Sequence, residues 1–506
     1  MKTRDTTLNN KITLLRFIDG EYFPPFGIMS IASQLKKEGF DPKIINLRTC
    51  ETRLPELVAQ LDGNLMIGVS ALTSEALVPT LELCEGIKAS YGDTVKIVWG
   101  GQHTTFLPEI TLKENSVDYV ISGEGEEPLV QLARYIQTGM GDLKSIPGLG
   151  FKDGDGVHIA PKTLLKSLDD YPYAWDLIDV EKYLQKGFGY KRILPYISSR
   201  GCPYPCTFCY NIPFNNQTWR GPSAPKVVED INYLKEKYDI DAVYFYDDYY
   251  FTNHKRVKEI ASGIDLPWYS ELRATDIKAK RIRELKQLNA LGFVFGAESG
   301  SATVLKTIEK GIVPEDILNA AKVCQEGDIK ELHMSFIFFT PGETIEDVKD
   351  TSLIITKLMR EYPFVRVGGG TYTPYPGVEL TSKTMELGWV PPTTTEGWAE
   401  YHRATEPQKL GIFSDEYIRN GLKVKDASMK TAAFYHFLYC RLKWVGTVIN
   451  YSIRPFSLLF DYLIRKDVTL YPFEYHLYRV LYLFKRGYQK ISPNFNPLVS
   501  KPKSTG

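Results

Sequence analysis

The stretch Ser198-Ser199-Arg200-Gly201-Cys202-Pro203-Tyr204-Pro205-Cys206-Thr207-Phe208-Cys209-Tyr210-Asn211 constrains this chain more than any other. Cys202, Cys206 and Cys209 stand in a C-x3-C-x2-C spacing, so one short loop can turn three thiolates toward a common centre. A loop that offers three soft anionic ligands and no fourth suits an iron-sulfur cluster with one iron left open to an exogenous ligand. A structural zinc site prefers four protein ligands, and no CxxC or HxxxH partner occurs elsewhere in the sequence to complete one. A disulfide framework is disfavoured by the count, seven cysteines in 506 residues. The polar residues 1–11 lead into an apolar run too short for a signal-peptide core or a membrane span. The expectation is a cytoplasmic chain, in which thiols stay reduced and a cluster survives.

The spacing, the aromatic Phe208 ahead of the last cysteine and the lead-in Ser199-Arg200-Gly201 resemble the radical S-adenosylmethionine (radical SAM) enzymes. That resemblance implies a 4Fe-4S cluster on Cys202, Cys206 and Cys209, with the amino and carboxylate groups of S-adenosylmethionine on the open iron. It implies reductive cleavage of the sulfonium to a 5'-deoxyadenosyl radical, and an electron donor of flavodoxin or ferredoxin type. The protein's part is to hold cofactor and substrate in register and to exclude solvent and oxygen.

Length predicts about two to four domains. With 61 basic against 61 acidic residues the net charge is zero, which removes any global electrostatic case for a nucleic-acid partner. From residue 11 to about 137, apolar runs of strand length at 12–17, 42–46, 65–70, 95–99 and 118–121 alternate with helical patterns at 27–38, 74–91 and 127–136. This α/β alternation predicts a doubly wound parallel sheet, with ligands beyond the carboxyl ends of its strands.

Three strand-end loops carry small polar residues where a ligand would need them: Gly68, Ser70 and Thr73 after the third strand, Gly100, Gly101 and His103 after the fourth, Gly123 and Glu124 after the fifth. Glycine there lets backbone approach a ligand closely. In order and spacing these loops, with Pro24-Pro25-Phe26-Gly27 leading into the first helix, resemble the cobalamin-binding domain fused ahead of many radical SAM enzymes. One departure stands out. Methionine-synthase-type cobalamin domains place a D-x-H-x-x-G motif after the first strand, whereas Asp19-Gly20-Glu21-Tyr22-Phe23-Pro24 contains no histidine. The resemblance to the radical SAM branch implies cobalamin bound without it. His103 then reads as a hydrogen-bonding or structural residue rather than an axial ligand, and Leu72 as a candidate for the lower face.

Residues 140–192 read as a connector between a cobalamin-binding-like domain, 1–139, and a radical SAM core, 193–385. They hold a hairpin turn at Gly154-Asp155-Gly156 and an irregular loop over 169–175. Strand candidates then recur at 193–199, 242–247, 268–273, 293–298, 331–339 and 364–371, with helices at 224–237, capped by Ser223, and 314–326. These units predict an open partial (β/α)6 barrel with chemistry at the carboxyl ends of its strands. There stand Asp247 and Asp248, implied by the resemblance near the methionine amino group; Arg273, able to pair with the carboxylate; Glu298 and Ser299, toward ribose or methionine; and Pro341 in an adenine-side segment. Helix capping or a solvated rim is the plainer reading of each acid taken alone.

Residues 386–506 read as a mostly helical C-terminal region. From 427 onward it holds twelve basic residues against three acidic, interleaved with aromatics, which suits either a lid over the barrel mouth or a peripheral contact with an anionic membrane. The resemblance covers roughly residues 10–385. It implies methylation of an unactivated carbon, or of phosphorus, in a small-molecule or lipid-like substrate. The alternatives are a radical cyclase or rearrangement enzyme of the same architecture, and a non-catalytic cobalamin-binding regulatory protein.

Overall fold

The computed structural model describes residues 9–18, 23–48 and 53–405. Five parallel strands form the first sheet: β1 (Lys11–Ile18), β2 (Asp41–Arg48), β3 (Met66–Ser70), β4 (Lys96–Gly100) and β5 (Tyr119–Ile121), in the order β2-β1-β3-β4-β5. Each lies within two residues of its expected bounds. The strands are apolar on both faces, so both must be covered. Leu14, Met66 and Val98 pack against Leu35 and Leu132 from the helices Phe26–Lys37 and Glu126–Thr138. Their neighbours Leu15, Ile67 and Trp99 pack with Leu81 and Cys84 from the helix Leu77–Tyr91. The sheet is doubly wound, as its alternating pattern requires.

The turn at 154–156 forms, but its two strands do not stand free. β6 (Leu149–Asp153) pairs antiparallel with β5, and β7 (Gly156–Ile159) pairs with β6, so this part of the segment 140–192 continues the N-terminal sheet. Local turn chemistry announces a hairpin; it carries no information about which sheet edge the hairpin joins.

The second sheet comprises β8 (Gln185–Gly187), β9 (Tyr190–Tyr196), β10 (Ala242–Phe245), β11 (Trp268–Glu271), β12 (Ala290–Glu298), β13 (Glu331–Phe338) and β14 (Val365–Thr371). Its order runs sequentially from β14 to β8. The six strands β9–β14 are parallel, the expected half-barrel, and β8 closes one edge antiparallel. The helix Ala224–Tyr238 starts after Ser223, but that hydroxyl makes no capping bond. Its backbone N–H instead donates to Asp169 Oδ1 at 2.6 Å. Thr344 does cap the helix Ile345–Glu361, in a reciprocal arrangement with Asp347.

Aromatic rings fill the junction between the two sheets. Tyr173, in the irregular loop, lies 5.1 Å from Phe26 of the first helix and 5.9 Å from Tyr196 of β9, centroid to centroid. Of the region 386–506, the described part holds the helix Thr395–Thr405, whose Trp398 packs with Trp389 into the core of the first sheet. Residues 406–506 lie outside the described residues, as do residues 19–22.

Candidate active site at the junction of the two sheets

The cysteine loop leaves β9 and is held from every side. Arg200 and Arg220 exchange backbone hydrogen bonds of 2.7 and 2.9 Å, pinning the loop's two ends together. Gly201 has φ +86, and a side chain there would strike the Thr218 carbonyl, so the glycine ahead of Cys202 is a steric requirement. The Thr207 N–H donates to the Ile308 carbonyl at 3.1 Å, and Leu380 N–H donates to the Thr207 carbonyl at 2.9 Å. Phe208 packs its ring among Val304, Ile308 and Leu380, with the Lys310 ammonium 5.6 Å from its centre.

All three cysteines are free thiols. Burial pushes the Cys202 thiol up, with the Cys206 charge adding to the rise, and the Cys209 thiol up to about 12, with Asp248 and then Cys206 and Cys202 adding. The loop turns tightly at its last two cysteines, the Cys209 N–H donating to the Cys206 carbonyl at 3.0 Å. Arg273, just beyond β11, reaches this turn: Nη1 lies 3.4 Å from Cys206 Sγ, and the guanidinium sits 3.8 Å from the centre of the Tyr204 ring. Nη2 is held by the Lys310 carbonyl.

The acids at the strand ends take distinct places. Asp247 is buried and accepts from Ser198 N–H at 3.2 Å, from Ser198 Oγ at 3.0 Å and from Ser199 Oγ. Burial raises it to about 6, against those bonds and the Arg256 charge. Asp248 accepts from Gly201 N–H at 2.9 Å and from the Tyr210 hydroxyl at 2.5 Å, gripping the cysteine loop before and after its ligands. Both carboxylates thus bond the loop, the first through its lead-in serines. Glu298 has φ +61 at a register shift in β12, and its Oε1 pairs with Lys310 Nζ at 2.6 Å. Such a conformation in a non-glycine residue marks a place where the surrounding structure imposes strain. Ser299 bonds Thr351 at 2.9 Å, and Pro341 follows the buried Thr340 at the end of the β13 segment. Glu271, at the end of β11, was not singled out by the sequence; burial, then Asp248 and Asp247, raise it to about 7.

Beyond the carboxyl ends of β3–β5 lies a cavity of about 220 Å³. Gly68, Ser70, Gly100, Gly101, Gly123 and Glu124 line it as the strand-end motifs lead one to expect. Thr73 and His103 are not among its walls: Thr73 Oγ1 and His103 Nδ1 lie 3.0 Å apart in the interior, and burial drives the imidazole down to about 3, hence neutral. Leu72, 39% exposed, is the solvent-facing residue of that loop. Two walls come from the segment that follows β9: Arg200 and Phe214, which flank the cysteine loop.

Arg200 also belongs to a buried charge network at the junction. Its Nη1 pairs with Glu124 Oε1 at 2.7 Å and its Nη2 with Glu126 Oε1 at 2.6 Å, while Arg220 Nη1 pairs with Glu124 Oε2 at 2.7 Å. Leu165 N–H donates to the same Oε2 at 2.6 Å. Burial alone would lift the Glu124 carboxyl; the two guanidiniums hold it below the usual range. The sequence signals reached Glu124, on a strand-end loop, and Arg200, in the Ser-Arg-Gly lead-in; Arg220, Lys310 and Phe214 carried none.

Two family models match: the B12 binding domain over residues 18–133 and the radical SAM superfamily over residues 196–353. An uncharacterized methyltransferase of Pyrococcus horikoshii is 30% identical over 420 residues, covering 81% of this chain and 88% of its own. The chain belongs to the B12-binding radical SAM enzymes. Another member, the anaerobic magnesium-protoporphyrin IX monomethyl ester cyclase of Synechocystis sp., is 26% identical over 62% of this chain and 64% of its own. The solved structure of the cobalamin-dependent S-adenosylmethionine radical enzyme OxsB with aqua-cobalamin bound shares the fold. It matches with a TM-score of 0.66 at 16% identity, over 98% of this chain and 82% of that one.

The cofactors of this enzyme are a 4Fe-4S cluster, S-adenosylmethionine and cobalamin. The residues present fit them. Among the described residues no three His, Cys, Asp or Glu side chains are placed to hold a single metal ion; Cys202, Cys206 and Cys209 stand on one short loop in the spacing of three cluster ligands, with the Arg273 cation beside Cys206. The cavity is smaller than the ~300–1,000 Å³ typical of whole-ligand pockets, so it would hold only a portion of a cofactor as large as cobalamin. Its glycines leave backbone exposed to that portion.

Proposed function

We propose that this enzyme transfers a methyl group to an unactivated carbon, or to phosphorus, of a small-molecule or lipid-like substrate. The observation that carries the reading is the shared wall: Arg200 and Phe214 flank the cysteine loop and also line the cobalamin-type cavity. Methyl transfer by two cofactors requires them to serve one substrate, and a common junction supplies that. When bound, the cluster and S-adenosylmethionine supply a hydrogen-abstracting radical and cobalamin carries the methyl group. The chain's own residues do the holding. Asp248 and Tyr210 fix the loop on either side of the thiolates, Asp247 fixes its lead-in, and Arg273 places a cation against Cys206. Tyr210 remains a phenol, since burial and the Asp248 charge raise it well above its ordinary value.

The methyltransferase name of the Pyrococcus horikoshii relative, which this chain covers most fully of those described above, supports the reading. A radical cyclase is the second reading, favoured by the likeness to the Synechocystis cyclase. The reading also takes in a flavodoxin- or ferredoxin-type electron donor and, through the basic excess in 427–506, an anionic or amphiphilic surface as partner. No helix of the described residues is long and apolar enough to cross a membrane.

The test is anaerobic. Reconstituted enzyme, methyl-labelled S-adenosylmethionine and an extract from cells lacking this protein are incubated together, and products are compared with an enzyme-free control. Label in a new product, together with 5'-deoxyadenosine and S-adenosylhomocysteine, is expected. A new product without label, alongside 5'-deoxyadenosine, would replace methyl transfer by the cyclase reading.

A further inference from the structure

Both ends of the cysteine loop reach the cavity of the first sheet. On the amino side, Arg200 is two residues before Cys202; it lines the cavity, and its guanidinium bonds Glu124 and Glu126, which line it too. On the carboxyl side, the short helix Asn211–Asn215 follows Cys209 directly and presents Phe214 to the same space. The Phe214 ring is clamped edge-on between Phe106, at 6.2 Å, and Tyr210, at 6.4 Å. Lys162 bonds the Phe214 carbonyl at 2.8 Å and the Pro213 carbonyl, and its stem lies against Gly123 on the cavity rim. The two ends are then joined through Asp248, which accepts from Tyr210 on one side and from Gly201 on the other.

We propose that Arg200 and Phe214 are positioning residues that index the cluster loop to the cobalamin in the cavity, fixing the separation of cluster and cobalt. The proposal rests on the reading of this cavity as the cobalamin site. The division of labour follows from chemistry. Phe214 offers a flat apolar wall that loses contact area only when cofactor is displaced, so it governs affinity. Arg200 offers a rigid fork to two carboxylates on the opposite domain, so it governs relative placement. An acyclic ammonium in its place keeps the charge but forms no fork.

The test uses full-length protein with reconstituted cluster, in two measurements. Hydroxocobalamin binding is followed by quenching of tryptophan emission, Trp99 being a cavity wall. The separation of Co(II) from the reduced cluster is read as the dipolar distance distribution in pulsed electron paramagnetic resonance. Phe214→Ala is expected to weaken hydroxocobalamin binding by roughly tenfold or more, the scale of losing part of a buried aromatic contact, with Phe214→Leu recovering most of it. Arg200→Lys is expected to broaden or shift the distance distribution. Iron and sulfide content and far-ultraviolet circular dichroism establish that each variant is folded and loaded. If Arg200→Lys does not fold, Glu126→Gln, which leaves both Glu124 pairs in place, takes its part in the distance measurement. Unchanged affinity in Phe214→Ala together with an unchanged distribution in the arginine or glutamate variant would overturn the proposal. Wild-type protein that binds no hydroxocobalamin would instead overturn the assignment of the cavity itself.

Discussion

Glu124 is predicted to be the most costly single carboxylate to remove from the junction. It is 7% exposed and accepts from Arg200, Arg220 and the Leu165 N–H within 2.7 Å. In Glu124→Ala, Arg200 keeps Glu126, but Arg220 keeps only neutral partners, Asn215 Oδ1 at 2.8 Å and the Leu165 carbonyl at 3.0 Å. A buried guanidinium is then left uncompensated, which costs about 3–5 kcal/mol. The assay is equilibrium urea unfolding of the apo protein, followed by tryptophan emission. Glu124→Ala/Arg220→Ala should lose less than the sum of the single changes, because the second removes the stranded charge. The sign with pH is fixed by the depressed carboxyl: its stabilisation is present above the unfolded-state value near 4.5 and is lost as pH falls through the lower folded-state value. The gap between wild type and Glu124→Gln should therefore shrink in acid. A loss below about 1 kcal/mol at neutral pH, the value of an ordinary surface pair, with additive double-mutant energies, would refute the claim that this network is buried and coupled.

Cys202→Ala, Cys206→Ala and Cys209→Ala are each predicted to abolish 5'-deoxyadenosine formation, measured by chromatography after reduction, while Cys84→Ala and Cys324→Ala keep full iron and sulfide content; cluster-dependent cleavage surviving in any of the first three would contradict the ligand assignment. Cys50 and Cys440, expected to behave like the latter pair, lie outside the described residues. The Co(II) resonance of the cobalamin-loaded protein should show no nitrogen splitting that depends on His103, since that imidazole is buried against Thr73 and absent from the cavity wall; a splitting lost in His103→Ala would show otherwise. Glu271, raised by burial from 4.5 to about 7, is carried at a cost when ionised, so wild-type stability should fall relative to Glu271→Gln as pH rises across that interval; denaturation midpoints that run parallel would exclude it. The intact protein should sediment with anionic liposomes at low salt and be released as salt rises, whereas a chain ending at Asp426 should not bind; equal behaviour of the two would remove the membrane surface as a partner.

What the sequence by itself determined is whatever is written in short-range pattern. The cysteine spacing is local, and so is the Gly201 that precedes it, whose backbone angle excludes a side chain. Strand and helix alternation is also local, because a strand apolar on both faces, such as β3 or β4, announces a covered parallel sheet without reference to any partner. From these come the two sheets, the cavity glycines Gly68, Gly100, Gly101 and Gly123, and the family. Tertiary structure alone decided where charges and edges meet. Arg200 finds Glu124 across 76 positions and Arg220 finds it across 96, separations at which no periodicity survives. The same holds for the hairpin β6–β7, whose turn is legible but whose docking on β5 is not, and for the bonds by which Asp247 and Asp248, at their strand end, hold the cysteine loop. A carboxylate's type and position along the chain state what it can bond; only the folded surroundings state which donors are near enough, and buried enough, to be bonded first.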